Sequence, residues 1–118
     1  MNDRVGGGVP EQRAPGDAPI RLPAEIDIAN SADVRSMLTA ASLATSDDLV
    51  IDASALTFVD VSGARAIVQV ANASRPNQFV RVTQAPDCLI RVLTICKWID
   101  HPKLILVRQP GREATPQP

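Results

Sequence analysis

The chain has 118 residues, a formal net charge of −1 and 45% apolar residues, the profile of one globular domain. A nearly neutral chain has no broad basic field to hold phosphate backbones or an anionic membrane surface. The only aromatic residues are Phe58, Phe79 and Trp98, too few for a base-stacking platform, so no nucleic acid is expected as a partner.

In chain order, residues 1–19 are rich in Gly and Pro (Gly6, Gly7, Gly8, Pro10, Pro15, Gly16, Pro19) and are expected to form a disordered N-terminal tail. They also lack a basic segment followed by an apolar one, the pattern of a signal peptide. Ile20–Leu22 predicts a short strand leading into Glu25, Ile26 and Asp27. Asn30 or Ser31 then suits a helix N-cap, with Asp33 in the first turn favouring the helix dipole. Val34, Met37, Leu38 and Ala41 follow at i, i+3, i+4, i+7, an amphipathic helix that Ser46, Asp47 and Asp48 close. Leu49, Val50 and Ile51 form a continuous apolar run, the pattern of a strand buried on both faces. A second short apolar stretch, Phe58-Val59, precedes Asp60, which is placed to cap the next helix. Ala64, Ile67, Val68 and Ala71 supply that helix's apolar faces, Arg65, Gln69 and Asn72 its polar one, and Arg75, Pro76 and Asn77 stop it.

Phe79–Val82 predicts another strand. Pro86 opens a third helix with Leu89, Val92, Leu93 and Cys96 in step, and a final strand runs over Leu104–Val107. Residues 20–108 thus form one domain, and the Pro- and Gly-bearing residues 109–118 a second disordered tail. Alternating strands and helices demand crossover connections, so the expected fold is an α/β sandwich of four to five mostly parallel strands with about three helices. Pattern alone leaves open whether the helices cover one face or both.

Catalytic chemistry has little to work with. The single histidine, His101, falls between Asp100 and Pro102 and is expected as a solvated loop residue; no G-x-S-x-G elbow accompanies a serine. One histidine and two separated thiols provide no metal site, and no motif implies a cofactor. Cys88 and Cys96 would lie about 12 Å apart along one helix, too far to bridge. No apolar run approaches the roughly 20 residues of a transmembrane helix, so direct membrane insertion is not expected and the expected compartment is the cytoplasm.

The segment Leu49-Val-Ile-Asp-Ala-Ser-Ala-Leu-Thr-Phe-Val-Asp-Val-Ser-Gly63 stands apart. A strand runs into a polar loop, then a short apolar stretch, then Asp-x-Ser-Gly at a helix start, where unpaired backbone N–H groups make a charge switch effective. This segment, with Leu22-Pro-Ala-Glu-Ile-Asp27 before it and Pro86 to Leu93 after it, resembles the signature of STAS domains, as in bacterial anti-sigma factor antagonists. The resemblance covers about Ile20 to Val107. It implies a STAS-like sandwich that is not an enzyme and that binds an anti-sigma factor, a histidine-kinase-like ATPase, to free a sigma factor. It places Asp27, Asp60, Val61, Ser62, Gly63 and Arg65 on the partner-binding surface and leaves a homodimer open. The family's phosphorylated serine corresponds to Val61, which has no hydroxyl, so no phosphorylation is expected there; Ser62 is the one neighbouring hydroxyl candidate. Ala24 replaces the family's glycine, and no terminal helix follows Val107. A STAS scaffold, or a STAS subunit associated with a transporter, is the alternative.

Overall fold

The computed structural model describes residues 18–110. Its elements run β1 (Ile20–Arg21), β2 (Glu25–Ile26), α1 (Ser31–Ala44), β3 (Leu49–Asp52), β4 (Phe58–Val59), α2 (Val61–Ala73), β5 (Val80–Ala85), α3 (Asp87–Ile95) and β6 (Leu104–Arg108). Four strands form a parallel sheet in the order β1-β3-β5-β6, and β2 and β4 form a separate parallel pair. The expected α/β fold holds, with three helices among the described residues; the strands there number six, because the stretches at 20–22 and 25–27 belong to different sheets. Most of the two expected tails lies outside the described residues. At the C-terminal boundary, the Gln109 N–H still donates to Ala85 O (3.0 Å), carrying the β5–β6 pairing one residue past β6.

The pleat decides which faces are covered. Ile20 pairs with Ile51, and Leu49 with Val80, which pairs in turn with Leu104. Partners in register point the same way, so these residues share one face with Val82 and Leu106. Leu49, Ile51, Val80 and Val82 are fully buried there, in one core with Val34, Leu38, Ile67, Leu89 and Leu93 from the three helices. The reverse face carries Arg21, Val50, Asp52, Arg81 and Thr83, of which Val50 is only half-buried. It is stitched by surface ion pairs, Arg81–Asp48 (3.3 Å) and Arg21–Asp52 (3.9 Å). Leu49–Ile51 is therefore not buried on both faces. An apolar residue within a strand follows its neighbours' packing only on the covered side.

Three further details depart from the sequence pattern. Met37 is 39% exposed, and α1 packs on α2 through Val34, Leu38 and Ser42 instead. Phe79 precedes β5 and is partly exposed; its N–H donates to Asp48 Oδ1 (3.0 Å). His101 is half-buried and held at both ring nitrogens. Its Nδ1 accepts from the Lys103 N–H (3.1 Å), which leaves Nε2 to donate to Asn72 Oδ1 on α2 (2.6 Å).

A polar network holds the far end of α1. Gln78, 3% exposed, donates through Nε2 to Ser42 O (2.9 Å) and Asp47 O (3.0 Å), and Arg75 donates to Ser42 O and Thr45 O. Carbonyls at a helix C-terminus have no partner within the helix, so these side chains complete it and fix α1 against the α2–β5 turn.

Candidate functional site

The two-stranded ladder creates the site. Glu25 pairs with Phe58 and Ile26 with Val59, so β2 and β4 run the same way and end side by side. Ile26 and Val59 point into the core, whereas Glu25 and Phe58 face out. The loop leaving β2 toward α1 therefore lies against the start of α2, tied by the Asp60 N–H donating to Ile26 O (3.1 Å).

Each loop is shaped by one acidic side chain. Asp27 Oδ1 accepts from the Ala29 N–H (2.9 Å), an Asx turn. Asn30 holds the N-cap position of α1 but does not bond into the helix. Its Oδ1 accepts from the Asp27 N–H and its Nδ2 donates to Glu25 O, both at 2.9 Å, closing the loop on itself. Asp60 is the N-cap of α2, and its Oδ1 accepts from the Gly63 N–H (3.1 Å) and from the Ser62 hydroxyl (2.5 Å). The Ser62 hydroxyl, followed by the backbone donors of Gly63, Ser62 and Ile28, outweighs partial desolvation and holds the Asp60 carboxyl below the usual carboxylate range. The bond from the Asp60 N–H to Ile26 O sets the start of the β2–α1 loop beside the cap of α2.

Asp27, Asp60, Val61, Ser62, Gly63 and Arg65 are thereby gathered at one end of the domain, on two adjoining loops and the first turns of α2. Their exposures differ. Val61 is 44% exposed and Arg65 lies one turn further along the open side of α2, whereas Asp27, Asp60 and Ser62 are half-buried and locally bonded. Gly63 is buried. A Cβ built on it would lie 2.7 Å from Val59 Cγ2 and 2.8 Å from Ile26 Cγ2, so glycine lets α2 sit directly on the ladder. Its role in the structure is internal packing beneath the surface.

Two residues absent from the sequence-based set belong to this end. Ile28 is 80% exposed beside Asp60, and an isolated apolar residue in the polar Asp27–Asn30 loop was a usable signal for it. Trp98, in the α3–β6 connection, lies with its ring 5.9 Å from the Arg65 guanidinium. Nothing in the sequence brings residues 65 and 98 together; the packing of α3 on α2 does. Among the described residues no group of three or more His, Cys, Asp or Glu is placed to hold a metal, and no helix is long and apolar enough to cross a membrane.

The family model for the STAS domain matches residues 10–108 of the chain. Its span takes in every element from β1 to β6 and also residues 10–19, which composition assigns to the N-terminal tail. No curated protein and no solved structure matches.

Proposed function

The chain belongs to the STAS domain family, and on that footing we propose that it is a non-catalytic regulatory module of the anti-sigma factor antagonist type. STAS domains are protein-interaction modules of regulatory and scaffold proteins. The finer reading is that this one docks a kinase-type anti-sigma factor and so frees a sigma factor, with the exposed start of α2 as its docking face.

One observation carries the reading: the first turn of α2 presents an uncharged, exposed Val61 at the position where the family resemblance places a phosphorylatable serine. Valine has nothing to phosphorylate, so the face stays apolar and binding-competent. Ser62 does not replace the missing switch. Its hydroxyl is committed as a donor to Asp60, and a phosphoryl group there would set about −1.5 to −2 charges beside that carboxylate. A module that cannot be ejected by phosphorylation also suits a permanent scaffold or a transporter-associated subunit, the second reading that Val61 favours.

The test is titration calorimetry of the purified chain against kinase-type anti-sigma ATPases, with V61D as the probe variant. A surface substitution at Val61 changes stability by no more than about 0.5 kcal/mol, so lost binding would report the face itself. Incubation with the ATPase and ATP is expected to leave Ser62 unmodified by mass spectrometry. Failure of every ATPase to bind, or binding indifferent to V61D, overturns the anti-sigma reading. Co-purification with a membrane permease would favour the second.

A further inference from the structure

We infer that the docking face extends beyond α2 to the α3–β6 connection, where Trp98 positions the Arg65 guanidinium as a fixed cation that selects partners presenting a carboxylate beside an apolar side chain. The inference rests on the docking reading above and specifies the chemistry of the partner.

Arg65 and Val61 are one turn apart on the same side of α2, and both are exposed. Arg65 makes no ion pair with any described residue; its contact is the indole face of Trp98. A guanidinium over a tryptophan ring is attracted by the ring quadrupole and loses side-chain freedom before a partner arrives, which lowers the entropy cost of forming an ion pair later. Trp98 is itself packed half-buried against the core, and its backbone N–H donates to Leu93 O (2.8 Å), fixing the chain from which the ring projects. Close by in the chain, the exposed cations Arg91 on α3 and Lys97 next to Trp98, and the exposed acid Asp100, are not ion-paired among the described residues. The acids of the face are occupied differently: Asp60 by the Ser62 hydroxyl and the Gly63 N–H, Asp27 by the Ala29 N–H. Both acids turn an oxygen to their own loop, and Arg65 is left without an ion-pair partner among the described residues. A partner that complements the face supplies an apolar side chain against Ile28 and Val61 and a carboxylate against Arg65. Trp98 acts through Arg65 and is a positioning residue.

The experiment uses the full chain, isotopically labelled, and two synthetic amphipathic helical peptides with identical apolar faces, one flanked by Glu and one by Lys. In the free protein, the Arg65 side-chain signals are expected to be displaced by the indole ring current and to return to free-arginine values in W98A. The Glu peptide is expected to shift the signals of Val61, Arg65 and the Trp98 indole N–H, binding about tenfold more tightly than the Lys peptide. R65E is expected to invert that preference and R65K to weaken it. W98F, which keeps a ring under the guanidinium, is expected to retain more of the selectivity than W98A, a distinction that loss of packing alone would not produce. Equal binding of both peptides, binding of neither, or Arg65 signals of a free side chain overturns the inference. Peptide failure with Val61-dependent ATPase binding would sink this inference alone; the opposite pattern would sink the anti-sigma reading and leave the carboxylate-selective face.

Discussion

Replacing Gly63 by alanine sets two effects of known size against each other. Alanine is favoured over glycine within a helix by about 1 kcal/mol, and by less in the first turn, where Gly63 stands. The added methyl, however, meets Val59 Cγ2 at 2.7 Å, Ile26 Cγ2 at 2.8 Å and Ile26 Cβ at 3.0 Å, none of them the tip of a flexible side chain. Both neighbours are core residues, Ile26 at 0% and Val59 at 4% exposure, so neither has free space to move into. Overpacking of this kind costs about 1–3 kcal/mol. The clash wins, and G63A is expected to destabilise by about 1–2 kcal/mol, lowering Tm by about 5–15 °C in a domain of this size. Thermal and urea denaturation followed by far-UV circular dichroism measure it. V59A removes one of the clashing methyls, so the double variant is expected to lose less than the sum of the two single losses, by about 0.5 kcal/mol or more. A G63A protein as stable as the parent would mean that α2 does not rest on the β2–β4 ladder, and the geometry of the docking face would fall with it.

Gln78→Ala should cost about 1–3 kcal/mol in urea denaturation, because the Ser42 and Asp47 carbonyls lose a buried donor. Asp60→Asn should destabilise α2, and its pH dependence has a definite sign. The folded carboxyl titrates below its unfolded value, so its contribution is fully present above about pH 4–5 and disappears as pH falls through the folded pKa. The Tm difference between the parent and D60N should therefore shrink on acidification below that window, and a difference that grew there would refute the assignment. Leu38→Ala, at a fully buried position between α1 and the core, should cost about 2–5 kcal/mol. Burial pushes the Cys88 thiol above its ordinary value, so it should alkylate slowly at neutral pH in a mass-spectrometric time course.

Much of the fold was legible because local periodicity and global packing agree. Val34 and Leu38, Ile67 and Ala71, and Leu89 and Leu93 fall at helical spacing and are buried in the core. The cap of α2 was also readable, since an aspartate three residues before a glycine amide is a short-range arrangement. What could not be read was long-range. The sequence of Leu49–Ile51 is the same whether one or both faces of the sheet are covered, and Met37 fits the apolar stripe of α1 yet lies outside the contact with α2.

The functional end of the molecule divides along the same line. By itself the sequence determined the parallel α/β order, the capped start of α2 and the valine that removes a hydroxyl from it, all consequences of residue identity and near-neighbour spacing. Only the tertiary structure decided that Gly63 is interior, that Ile28 flanks Asp60 and that Trp98 lies against Arg65. Those relations join residues far apart in the chain or on opposite sides of one turn. Their geometry is set by how β2 pairs with β4 and how α3 packs on α2. Pairing and packing depend on the summed burial of the whole core, a quantity that no short stretch of sequence contains.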